Sequence, residues 1–183
     1  MISSINFKGT YITPAIVKKF DGDKNYPQKE VALVELSPIS YNDMSVMNRI
    51  SYEWGNNGTL ATDIRDTFSD HYVAYDEFPR EKFYVLTEQK RNFDKLDSLE
   101  VLAVTQLKNI PEGIFIDYLQ VAPDYCADNT NSLFRGVGSA FLNSIKKLYT
   151  HKNIILNSLE SAVQFYKKNG FEVFDGGMIY RAK

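Results

Sequence analysis

Residues 134 to 139 read Phe-Arg-Gly-Val-Gly-Ser, and Val137, Phe141, Ile145 and Leu148 follow at helical spacing. The first N–H groups of a helix have no intrahelical acceptor, and the helix dipole adds partial positive charge there, so such a terminus suits an anion. Gly136 and Gly138 would let a bulky phosphate approach those donors. A P-loop would need Gly-Lys-Ser/Thr, but Ser139 and Ala140 follow Gly138; a dinucleotide fingerprint would need a third small residue where Phe141 stands. Two readings stay open: an ordinary turn, or a loop for a pyrophosphate that carries no metal ion.

Other chemistries find less support. Cys126 is the only cysteine and there are two histidines, which excludes an intramolecular disulfide framework and argues against a Cys/His zinc site. Its neighbours Asp124 and Asp128 would raise a thiol's pKa, so a surface thiol is expected rather than a nucleophile. Asp124, Asp128 and Asn129 lack the glycine and closing glutamate of a calcium loop. The charge is balanced, 21 Lys and Arg against 23 Asp and Glu, and the Lys-Lys pairs are scattered. That argues against nucleic acid or an anionic membrane as partner. Neither a signal-peptide pattern nor an apolar run of spanning length occurs, so a cytoplasmic protein is expected.

The elements that must position the glycine loop follow from periodicity. With 183 residues and 44% hydrophobic content, a single domain over 1–183 is expected. Two extended segments, "TYITPAIVKKF" and "KEVALVELS", flank a turn-rich stretch. Ser40 and Asp43 stand at capping spacing before Met44, Met47, Ile50 and Trp54, and Gly55 ends that helix. Tyr41, Tyr52 and Trp54 read as its core aromatics, with the lining of an acceptor cleft as the alternative. Leu60, Ile64, Phe68 and Tyr72 mark a second helix, after which come the strands "KFYVLTEQ", "LEVLAVTQL" and "GIFIDYLQVAP". Beyond the glycine loop and its helix, "NIILNS" is a short strand. Asn157 and Glu160 open a helix that Gly170 closes, and Asp175-Gly176 turns a final hairpin. The order β, β, α, α, β, β, β, α, β, α, β, β predicts a mixed sheet with helices on its faces.

Two segments together resemble the GNAT acetyltransferase superfamily. "DYLQVAPDY" with "FRGVGSAFL" is similar to its acyl-CoA motif, and "SAVQFYKKNGFEVF" to its penultimate helix and strand. They span roughly the last third of the chain. The resemblance implies an α+β fold: a mixed, mostly antiparallel sheet of about seven strands flanked by helices, with an additional N-terminal strand in residues 1–28. Residues 113–183 would form the acyl-CoA-binding core. The strand carrying Leu119, Gln120 and Val121 would splay from "NIILNS" and bond the pantetheine arm of acetyl-CoA. Phe134, Arg135, Gly136, Val137, Gly138 and Ser139 would wrap the pyrophosphate, with Asn157 a polar group near the cofactor. Arg135 would supply the charge that relatives bring at the position of Leu133, and the linker from Pro123 to Gly136 is longer than usual.

The same resemblance makes Tyr166 a general acid for the departing thiolate. Asp117 is the candidate base, placed by strict alternation on the face of Leu119; Glu53 and Glu100 are remoter candidates. The expected function is acetyl-CoA-dependent N-acetyl transfer, without metal, to a primary amine of a small molecule or peptide. Transfer would be direct in a ternary complex, since no activated nucleophile is visible. A non-catalytic acyl-CoA-binding sensor or interaction module is the alternative, and a partner-binding domain without a CoA site a third. The final hairpin or the N-terminal strands offer edges for a homodimer.

Overall fold

The computed structural model describes residues 8–22, 25–55, 60–75, 80–126 and 132–182. Its strands are β1 (Thr10–Lys19), β2 (Gln28–Leu36), β3 (Glu81–Thr87), β4 (Val101–Ile110), β5 (Gly113–Val121), β6 (Phe134–Arg135), β7 (Ile154–Leu156), β8 (Glu172–Phe174) and β9 (Gly177–Tyr180). Helices α1 (Tyr41–Trp54), α2 (Leu60–Ala74), α3 (Val137–Leu148) and α4 (Val163–Lys168) complete the order. The nine strands form one sheet in the order β6-β1-β2-β3-β4-β5-β7-β9-β8. Every pairing is antiparallel except β5 with β7. The expected order holds; the added element is β6, two residues that no period could reveal.

Both faces of the sheet are covered. Met47, Ile50, Ile64 and Phe68 of α1 and α2 pack on Val34, Phe83, Val85 and Val104. On the other face Val137, Phe141 and Ile145 of α3 meet Leu33, Leu86, Leu102 and Ile114. Phe68 and Phe83 stack edge to face at 4.9 Å, a buried pair in which loss of either ring would cost about 3–5 kcal/mol. Tyr41 and Tyr52 are exposed, so of the three aromatics expected in the core of α1 only Trp54 is there.

Local chemistry sets the helix ends. Ser40 caps α1, its Oγ accepting from Asp43 N at 3.2 Å, while Asp43 Oδ2 accepts from Ser37 N at 2.9 Å. The first turn of α2 is capped from a distance: Gln120 Oε1, on β5, accepts from Ala61 N at 2.7 Å. α4 begins only at Val163, after a 3-10 turn at Glu160–Ala162, and Ala162 caps it without a side-chain bond. The expected capping role of Asn157 is therefore not met.

The decisive irregularity is in β5. Tyr118 pairs with Gln106 and Ile116 with the adjacent Leu107, which leaves Asp117 as an unpaired extra residue, a β-bulge. A bulge reverses side-chain parity: Ile114 and Ile116 pack toward α3, Tyr118 toward α1 and α2, then Leu119 and Val121 toward α3 again. Asp117 thus does not share the face of Leu119 by alternation. Its Oδ2 accepts from Gln106 Nε2 at 3.0 Å and is paired with Lys108, which also lies 3.8 Å from Glu81 Oε1.

Candidate functional site

β7 accompanies β5 only from Ile114 to Ile116. Past the bulge β5 continues to Val121 against β4, while β7 has ended at Leu156. The backbone groups of residues 117–121 that face away from β4 therefore lack a strand partner. A cavity of about 900 Å³ opens at this divergence. Leu119, Gln120 and Val121 form one wall, Ala162, Phe165 and Tyr166 another, and residues 134–139 the end.

The two glycines serve different purposes. Gly136 caps α3 in the left-handed conformation, φ 73°, with no side-chain cap, and a β-carbon there would meet nothing within 4 Å. Ala140 N is bonded to Gly136 O at 2.9 Å, which begins the helical ladder, so the N–H groups of Val137, Gly138 and Ser139 lie before the first helical acceptor. Gly138 is instead a packing glycine: a β-carbon there would stand 2.9 Å from Phe165 Cζ and 3.5 Å from Val121 Cγ2. One glycine leaves space above the donors, and the other lets α3 close on α4 and β5.

Tyr166 faces Phe165 and Phe171 in edge-to-face contacts at 5.1 and 5.6 Å. Burial pushes its phenol above the ordinary value, so it keeps its proton at neutral pH. Phe134 is fully buried against Tyr125 at 5.0 Å, and the exposed Arg135 guanidinium lies 3.9 Å from the Tyr26 ring. Leu133 is exposed, and its carbonyl accepts from Phe20 N at 2.8 Å. Of the linker expected to be long, residues 127–131 lie outside the described residues.

Every residue expected in the cofactor loop or wall lines this cavity except Asn157, which is exposed beyond the end of β7. Asp117 is also outside the lining, engaged by Gln106 and Lys108. Sequence reasoning missed Pro123, Tyr125, Cys126, Ser132, Ala162 and Phe165 as cavity walls; the resemblance had quoted Ala162 and Phe165 only as part of a helix. Glu53 accepts from Ser98 Oγ at 3.1 Å and lines a smaller cavity of about 160 Å³ that shares Trp54, Pro123 and Tyr125 with the larger one. Among the described residues, the larger cavity has no carboxylate or imidazole in its lining, and nowhere do three or more His, Cys, Asp or Glu gather as metal ligands. No described helix is long and apolar enough to cross a membrane.

A sheet with one parallel pair that splays onto a glycine-capped helix defines the GNAT acetyltransferase fold, and the chain has that fold. The PaiA N-acetyltransferase of Thermoplasma acidophilum, solved with coenzyme A, superposes with a TM-score of 0.52 at 18% identity, over 81% of this chain and 96% of that one. The Bacillus subtilis N-acetyltransferase YlbP, also in complex with coenzyme A, gives 0.50 at 16% identity over 82% and 96%. A spermidine N-acetyltransferase SpeG chimera from Vibrio cholerae and hSSAT gives 0.53 at 15% identity over 83% and 95%. Neither the protein-family models nor the curated sequences gave a match.

Proposed function

We propose that the chain is an acetyl-CoA-dependent N-acetyltransferase acting on a primary amine of a small molecule or peptide. The observation that carries this reading is the divergence of β5 and β7 onto the open N-terminus of α3, with Tyr166 on the facing wall. Coenzyme A has a chemical match for each part. Its pyrophosphate suits the N–H groups of Val137, Gly138 and Ser139, and its pantetheine amides suit the backbone of Leu119 and Val121, which has no neighbouring strand on that side. The apolar side chains of Leu119, Val121 and Phe165 suit the methylene arm.

Acetyl-CoA supplies the acyl group as a thioester, which a neutral amine attacks with loss of the thiolate. The backbone of β5 holds the thioester arm in register, converting a bimolecular encounter into an oriented one. Tyr166 donates its phenolic proton to the leaving sulfur and regains one from solvent; its raised pKa keeps it in the acid form beforehand. With no carboxylate or imidazole among the described lining residues, the acceptor's surplus proton leaves through water. Asp117 acts on the reaction as a positioning residue, by fixing the bulge that bends β5 away from β7.

The lack of a carboxylate or imidazole among the described lining residues also favours a second reading, in which the domain binds acyl-CoA without turnover. Thiol release from acetyl-CoA, followed across polyamines, aminoglycosides, amino acids and peptides, separates the two. Acceptor-dependent release supports transfer, and saturable acetyl-CoA binding with no release on any acceptor supports the sensor.

A further inference from the structure

The added N-terminal hairpin is fastened to the segment that leads into the glycine turn. Lys18 is register partner to Arg135 and Lys19 to Phe134. Phe20 N donates to Leu133 O at 2.8 Å, and Tyr26 Oη donates to Ser132 O at 3.0 Å. The Arg135 guanidinium lies on the Tyr26 ring at 3.9 Å, and Lys19 Nζ stands 5.0 Å from the Phe134 ring while paired to Glu88 at 2.7 Å. The segment between residues 132 and 135 is thus held by an element that the sequence places more than a hundred residues earlier.

One of these pairings is unfavourable as it stands. Directly opposed residues of an antiparallel ladder project to one face, so the cationic side chains of Lys18 and Arg135 leave the ladder on the same side. Val17 is buried toward α3 and Lys18 is exposed, which puts both side chains on the side of the ladder turned away from α3, with Arg135 next to Gly136 in the chain. Among the described residues neither has an ion-pair partner, whereas Lys19, one position on, is neutralised by Glu88. Like charges opposed on a ladder repel, and an anion between them would turn the repulsion into attraction. Stacking on Tyr26 orients the guanidinium fork, leaving its N–H edge to meet that anion.

We propose that Lys18 and Arg135 form a subsite for a phosphate monoester, the 3′-phosphate on the ribose of coenzyme A, and that Tyr26 positions Arg135 within it. This rests on the coenzyme A reading above and adds a specificity to it. The hairpin is then part of the site: the glycine turn takes the diphosphate, which dephospho-CoA shares, and the cation pair takes the group that distinguishes the two ligands.

Calorimetric titration of the full chain with coenzyme A and with dephospho-CoA tests it. Wild type is expected to prefer coenzyme A by about tenfold, the worth of one charge-assisted contact. Lys18→Gln, at an exposed position, brings that ratio toward one while leaving the affinity for dephospho-CoA unchanged. Tyr26→Ala also shrinks the ratio, and Tyr26→Phe, which keeps the ring, preserves it. Equal wild-type affinity for the two ligands, or an undiminished preference in Lys18→Gln, overturns the subsite alone. Binding of neither ligand by wild type overturns the coenzyme A reading and the subsite together.

Discussion

Gly138 and Phe165 meet so closely that a β-carbon on the glycine would stand 2.9 Å from the ring's Cζ. That contact joins the start of α3 to α4 and sets the width of the cleft where the two approach. Gly138→Ala must displace Phe165, a small-to-large change of the kind that costs about 1–3 kcal/mol. Its acetyl-CoA affinity should fall roughly tenfold, as 1.4 kcal/mol of the disturbance reaches the ligand. Phe165→Leu in the same chain relieves the clash, and a double-mutant cycle read by calorimetry should show the coupling. Strictly additive effects would mean that the contact does not shape the site.

Tyr166→Phe removes the phenolic proton and little else, since the ring contacts with Phe165 and Phe171 persist. Turnover should drop about 100-fold, the usual scale of one acid–base group, while acetyl-CoA affinity stays near wild type. Full turnover in the variant, measured by thiol release, removes Tyr166 from the chemistry.

Asp117 divides two roles by magnitude. A general base typically carries a factor of about 10²–10⁴ in rate, with a matching limb in the pH profile. A residue that holds a bulge through Gln106 and Lys108 does not. Asp117→Asn should therefore cost less than tenfold in turnover and leave the pH profile unmoved. A loss of about 100-fold or more with a displaced acid limb would restore the carboxylate as base.

Asp43 makes stability depend on pH. The side chain is buried at the first turn of α1, and burial pushes the carboxyl up to about 7 against the opposing backbone hydrogen bonds of Ser37 and Gly9. A folded-state pKa raised above the unfolded value favours the folded state while the proton is on. The contribution is full below pH ~4, the unfolded carboxylate pKa, and is lost as pH rises toward about 7. The melting temperature should fall as pH rises from about 4 to about 7, and Asp43→Asn should flatten that slope. Equal slopes in the two proteins would exclude Asp43 as the source.

Local chemistry explains which parts of this molecule could be read from its sequence. The Ser40 cap, the α3 stripe and the Asp175-Gly176 turn depend on neighbours within a few residues, and each appears as expected. The strand divergence came through resemblance, carried by the residues on both sides of it. Asp117 does not lie on the face that alternation assigns it, because its side depends on the register of β4 against β5, which one strand alone cannot contain. Asn157 does not cap α4 because the chain makes a 3-10 turn before the helix begins. Tyr26 and Ser132 were invisible because they are brought together by tertiary pairing across more than a hundred residues. Trp54 is buried in the core and also borders the cleft, the two places its sequence context left open.

In the proposed complex, the cleft between β5 and α4 holds acetyl-CoA with its diphosphate on the N-terminus of α3. Calorimetric titration of acetyl-CoA into wild type and Gly136→Val, with circular dichroism to establish that both are folded, tests it most directly. The valine fills the open space above the donors at a left-handed position, where an L side chain costs about 1–2 kcal/mol. Saturable one-to-one binding by wild type, weakened at least tenfold in the folded variant, is the predicted result. No saturable binding by wild type, or equal affinity in the two proteins, would contradict the account.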